Sequence, residues 1–169
     1  MIYQHIVLAY WTKWANRRLY DACAALPEEE YLRPRPCAFG SIHGTLNHLL
    51  VADIIWMGRF TGVDAGIPSL DEVLHEDFAS LRDAREAEDA RIIDVMTELC
   101  GRDPDADFYY LSMDGTPQTM PLGLLMTHFF THHAHHRGQA HALLSQTSVT
   151  PPSLDLTYFL REYPIRGSA

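Results

Sequence analysis

A chain of 169 residues, 47% of them hydrophobic, can bury one sizeable core, but two domains would each be short of apolar surface; a single domain over residues 1–169 is expected. With 21% charged residues, it is not a wholly disordered chain. The formal charge is -9, Lys13 is the only lysine, and the twelve arginines are scattered among acids. That pattern excludes a reader of nucleic-acid backbone, which needs several cations on one face, and it disfavours an anionic membrane surface. Cys23, Cys37 and Cys100 are odd in number and lie far apart, which suggests reduced thiols rather than a disulfide framework or a thiolate zinc site. The first residues lack a signal-peptide layout and no apolar run is long enough to span a bilayer, so a cytoplasmic location is expected.

From Ile2 to Leu26 the residues Ile6, Val7, Tyr10, Trp11, Trp14 and Leu19 recur at three- and four-residue steps and predict an amphipathic helix that Pro27 ends. Arg33 to Gly40, with Pro34 and Pro36, reads as a loop. Ser41 is an N-cap residue type, and Ile42, Leu46, Leu49, Leu50, Trp56, Met57 and Phe60 continue a helical stripe until Gly62. Thr61 to Ser69 is a connector. A third long helix over Asp77 to Leu99 turns Phe78, Leu81, Ile92, Ile93, Met96 and Leu99 inward, and its Arg/Asp/Glu alternation reads as a solvated outer face.

Phe108 to Met113, the turn dipeptide Asp114-Gly115, and Thr116 to Met120 predict a short hairpin. Thr119 is then placed to cap a fourth long helix, with Pro121 in its first turn, that runs to about Ser145. Asp155 to Glu162 reads as a closing helix. Four long helices, each with one apolar stripe, make an all-α four-helix bundle the expected fold, and the long connectors permit a topology other than simple up-down.

Six of the ten histidines, at positions 128, 132, 133, 135, 136 and 141, fall on the fourth long helix. At 3.6 residues per turn His128, His132 and His136 share a face, and two imidazoles four residues apart can close on one ion. Neutral imidazole nitrogens suit zinc, nickel, copper or iron. A third ligand must come from a facing helix. His48 is the best placed, lying mid-helix between Leu46 and Leu49, where an unpaired polar ring would be costly. His43 and His75 are placed less well, His128 suits packing or support of a ligand, and His133, His135 and His141 read as surface or interface residues. No acid lies inside the HxxxH pair, which excludes the HExxH arrangement of metalloproteases. Three histidines with an open fourth position are nearer to a catalytic than to a structural site.

The segments YWTKWANRRLYDA (Tyr10 to Ala22), TLNHLLVADIIW (Thr45 to Trp56), HFFTHHAHHRGQ (His128 to Gln139) and PPSLDLTYFL (Pro151 to Leu160) together resemble the DinB/YfiT-like superfamily of metal-dependent bacterial proteins, which is distinct from the DNA polymerase sharing part of that name. HxxxHRGQ is the most specific of these signatures. The resemblance implies an up-down-down-up four-helix bundle, a three-histidine site made by His48, His132 and His136, and a homodimer. Arg137, Gly138 and Gln139 match the rest of the signature. From the residues, Arg137 is expected to pair with an acid such as Asp53, Gly138 to permit close helix packing, and Gln139 to lie one turn from the metal.

The superfamily also contains transferases that use low-molecular-weight thiols. By analogy the expected function is a divalent metal site, holding zinc or nickel, or alternatively iron or manganese, that serves a thiol S-transferase or a hydrolase. The competing expectation is a non-catalytic stress-response protein whose ion stabilises the bundle.

Overall fold

Residues 2–164 are described by a computed structural model. The elements in order are α1 (Ile2–Ala24), α2 (Glu28–Leu32), α3 (Ile42–Thr61), α4 (Phe78–Leu99), β1 (Asp107–Leu111), β2 (Pro117–Pro121), α5 (Leu122–Leu144) and α6 (Leu156–Glu162). The protein is thus mostly helical, with one small antiparallel sheet that pairs Asp107 with Pro121 and Leu111 with Pro117. No described helix is long and apolar enough to cross a membrane.

Local chemistry explains most of the boundaries. The Ser41 hydroxyl accepts a hydrogen bond from the Gly44 amide, satisfying one of the donors that a helix start leaves unpaired. Gly62 ends α3 with φ +74°, a left-handed conformation in which a Cβ would be strained. Asp77 caps α4 in the same manner as Ser41 caps α3. Thr119, however, is not a cap: it pairs with Tyr109 inside the hairpin. The start of α5 is satisfied by distant backbone instead, as the Leu122 and Gly123 amides donate to the carbonyls of Ala106 and Pro104.

The long helices α1 and α3 each pack against both α4 and α5. Their interior has two apolar clusters. One contains Ala9, Trp56, Met57, Ile92, Met96 and Phe129, and the other Leu19, Leu46, Leu50, Leu81, Ala140 and Leu144. Along every long helix a buried polar residue falls between the two clusters: Asn16, Asp53, Arg85 with Asp89, and His133 with Arg137. Helices α1 and α5 pass from the first cluster through this polar layer to the second, whereas α3 and α4 run the opposite way.

Two readings of helix faces need correction. The buried stripe of α1 is His5, Ala9, Thr12, Ala15, Asn16, Leu19, Tyr20 and Cys23, and the large residues Ile6, Val7, Tyr10 and Trp14 line an outward groove with Phe159 of α6. Of the stripe expected for α1, only Leu19 is buried. The charge run of α4 is also not all solvated, since Arg85, Glu88 and Asp89 are buried. They continue the stripe Leu81, Arg85, Glu88/Asp89, Ile92, Met96 at the same steps as its apolar members.

Candidate metal centre

His48 projects from α3, and His132 and His136 from successive turns of α5. One ring nitrogen of each lies within 4.8 Å of the other two. Among the described residues no fourth His, Cys, Asp or Glu joins them. The His48 ring centroid is 4.4 Å from that of His136 and 5.8 Å from that of His132.

Neighbouring groups fix which nitrogens point inward. His48 Nδ1 is 2.7 Å from the carbonyl oxygen of Leu70, which can only accept, so Nδ1 carries the proton and Nε2 the lone pair. His136 Nδ1 likewise donates to Gln139 Oε1 at 2.9 Å, and Gln139 in turn contacts His135 Nε2 at 3.1 Å. Phe39 closes one wall, stacked on His48 at 3.8 Å and edge-on to His136 at 5.5 Å. Its backbone is seated against Gly44, where a Cβ would fall on the Phe39 carbonyl oxygen.

His48 Nε2 is buried and has no hydrogen-bond partner. A buried acceptor left unpaired costs about 1–3 kcal/mol, and a cation between the three rings would satisfy it. Burial lowers the pKa of all three rings. For His132, burial together with the imidazoles of His136, His48 and His128 brings it to about 4, so the ring stays neutral and able to donate its lone pair. The donor set therefore suits a borderline divalent ion.

The other histidines fall elsewhere. His128 is exposed, 5.8 Å from His132 and 5.2 Å from Trp56 between ring centroids. His43 bonds the Tyr31 hydroxyl and Asn47, while His75 is held through its backbone by Asn47. His135 is exposed and His141 donates to the Pro152 carbonyl. His133 is not a surface residue: it is 1% exposed, and its Nε2 lies 3.2 Å from Asp53 Oδ2.

His133 belongs to the buried polar layer directly behind the centre. Arg85 Nη1 donates to Asp53 Oδ2 at 2.6 Å, Arg85 Nη2 lies 3.1 Å from Asp89, and Asn16 donates to Asp89 at 2.8 Å. Burial pushes Asp53 up, but His133 and Arg85 outweigh it and hold the carboxyl below the usual range. Burial keeps His133 neutral. The acid expected to pair with Arg137 is thus taken by Arg85; Arg137 stacks on Trp11 at 4.1 Å and meets His133 Nδ1 at 3.4 Å. Gly138 is exposed, and a Cβ there would meet nothing within 4 Å, so it does not serve close packing. Sequence reasoning does not find Phe39 or Leu70; Gln139, which it expects one turn from the metal, bonds the ring of His136.

A mostly helical protein with three imidazoles converging from two helices falls in the class of candidate metal-binding helical proteins. The DinB family model matches residues 1–166, and the chain belongs to the DinB family. It is similar to Protein DinB of Bacillus subtilis (strain 168), 25% identical over 162 residues, which cover 87% of this chain and 88% of that protein.

Proposed function

We propose that His48, His132 and His136 hold one divalent transition-metal ion, zinc or nickel in the first place and iron or manganese as alternatives, and that the protein is an enzyme transferring a thiol to an electrophile. The observation that carries this reading is the buried, unpartnered Nε2 of His48 facing two neutral imidazoles. When bound, such an ion supplies positive charge that lowers the pKa of a thiol or a water reaching it, so hydrolysis is the neighbouring reaction type. The protein's own residues orient the ligands: Leu70 and Gln139 fix two tautomers, and Phe39 shields the rings from water on one side.

Metal content of untagged protein purified without a nickel column, measured for the wild type and His132→Ala, tests the site. About one equivalent that disappears in the variant supports it, and metal-free folded wild type overturns it. Thiol conjugation by zinc- or nickel-loaded protein, lost in His48→Ala, tests the activity; turnover unchanged in that variant excludes it.

A second reading has its own support. The three rings come from α3 and α5, so an ion would cross-link two helices, as in a non-catalytic stress-response protein stabilised by its metal. It requires a melting temperature that rises with metal, and equal values with and without metal would rule it out.

The chain is read as one domain, an up-down-down-up four-helix bundle, because α1 and α5 run opposite to α3 and α4. A homodimer in the cytoplasm is proposed as its working form, supported by the outward apolar residues of α1. Sedimentation showing only a 19.2 kDa species at micromolar concentration would refute the dimer.

A further inference from the structure

Arg59 of α3 is a half-buried cation without an acid. Its guanidinium lies over the rings of Trp56, at 4.7 Å, and Tyr110, at 5.1 Å. Among the described residues it makes no salt bridge and no side-chain hydrogen bond. Other described arginines differ, except Arg137, which also lacks an acid but is buried over Trp11 beside His133. Arg18, Arg33, Arg35, Arg82, Arg85, Arg91 and Arg102 all pair with carboxylates, and Arg17 and Arg161 are exposed to water. Two aromatic faces stabilise the guanidinium plane but leave its N–H edge unused.

Arg59 lines a cleft of about 560 Å³ between α3, the segment after it and the hairpin, with Ile55, Gly58, Ile67 and Tyr110 in its walls. Asp64 also lines the cleft, yet its carboxylate accepts from the Gly66 amide at 3.0 Å and forms no ion pair with Arg59. A single guanidinium beside one acid suits a monoanionic carboxylate, which it can grip with two parallel hydrogen bonds, better than a phosphate dianion.

Arg59 and the candidate metal centre share one face of α3. Arg59 follows His48 by eleven residues, three turns of helix, so both lie on one face of α3, separated by about 16 Å at 1.5 Å per residue. On α5 the same line continues, because His132 is one turn from His128, whose ring meets Trp56, over which Arg59 lies. A file of rings therefore joins the three histidines to one unpaired cation.

We propose that Arg59 recognises the carboxylate end of an elongated substrate whose reacting end lies at His48, His132 and His136, with its middle against Trp56 and His128. This rests on the metal reading for the reacting end alone; recognition by Arg59 stands apart from it.

Two binding series separate these. In the first, metal-free protein is titrated by calorimetry with decanoate and with decanol. Wild type should prefer the carboxylate roughly tenfold, Arg59→Gln should lose that preference, and Arg59→Lys should retain part of it. No preference in wild type, or an equal one in Arg59→Gln, overturns the proposal whatever the metal content. In the second, zinc-loaded protein is titrated with mercaptoalkanoates from mercaptopropionate to mercaptoundecanoate, with mercaptoethanol as the neutral reference. Affinity should climb with chain length until both ends are engaged, and this climb should vanish in Arg59→Gln while mercaptoethanol binding does not change. A flat series in wild type that still binds mercaptoethanol overturns the lengthwise placement and spares the metal reading. Failure to bind mercaptoethanol, with the decanoate preference intact, counts against the metal reading and supports Arg59.

Discussion

Two ion pairs of equal length should differ widely in their worth to stability. Asp53 meets Arg85 at 2.6 Å with both side chains 2% exposed, and Asp21 meets Arg82 at 2.6 Å with exposures of 52% and 31%. Asp53→Asn leaves the Arg85 guanidinium buried against Asp89 alone, and burial pushes Asp89 itself towards its neutral form. Breaking a buried pair by removing one partner costs about 3–5 kcal/mol, and the remaining contact with Asp89 puts the expected loss near the lower end, about 3 kcal/mol. Asp21→Asn removes a screened, solvated contact whose loss is about 0–1 kcal/mol. At roughly 2–4 °C per kcal/mol for a chain of this size, Asp53→Asn should melt about 6–12 °C below wild type. Urea denaturation of chelator-treated protein, with unchanged m values, measures both without interference from bound metal. Losses of equal size, or a loss under about 1 kcal/mol for Asp53→Asn, would mean that the buried layer does not carry net charge and that the reasoning is wrong.

Three further outcomes are expected. Gln139→Leu frees the His136 ring from its 2.9 Å bond and should weaken zinc binding by about 10–100-fold in chelator competition while leaving the melting of metal-free protein nearly unchanged; equal affinity would exclude the orienting role. Gly44→Ala sets a Cβ on the Phe39 carbonyl and should cost about 1–3 kcal/mol in urea together with zinc affinity, because the ring stacked on His48 must move; retained affinity would separate Phe39 from the centre. His132 has a folded pKa of about 4 against an ordinary histidine value of about 6.5, so as pH falls between those limits the unfolded chain takes up a proton that the folded site refuses. Metal-free wild type should therefore lose stability across that window more steeply than His132→Asn, and parallel melting curves would contradict the depressed pKa.

Much of this is legible in the sequence where the cause is local. Ser41 and Gly62 mark the ends of α3 because capping depends on neighbours within four residues, and the four-residue step of His132 and His136 places both on one helix face. Asp114-Gly115 marks the hairpin, with Gly115 at φ +81°. What the sequence misleads on depends on partners far along the chain. Arg85 reads as one more surface charge on α4 until Asp53, 32 residues away, is seen to meet it, although its place in the Leu81 to Ile92 stripe is a usable signal. His133 reads as a surface residue for want of its contacts to Asp53 and Arg137. The outward face of α1 is mistaken because the mixed stripe His5, Ala9, Thr12, Asn16, Leu19 and Tyr20 recurs at the same three- and four-residue steps as the larger Ile6, Val7, Tyr10 and Trp14. Leu70 acts through a backbone carbonyl, which no residue type announces.

The segment between α3 and α4 is held at two adjacent residues: Asn47 exchanges two hydrogen bonds with the His75 backbone, and His48 donates to the Leu70 carbonyl. Both contacts on the segment side are made by main chain, so they survive almost any change of its side chains. Its outward residues can therefore diversify, and even insertions near Asp64 to Pro68 can be absorbed, while the helices and the three imidazoles keep their positions. A lineage of such proteins could change what it recognises by rewriting one loop, with little disturbance to the buried charges that hold the helices together.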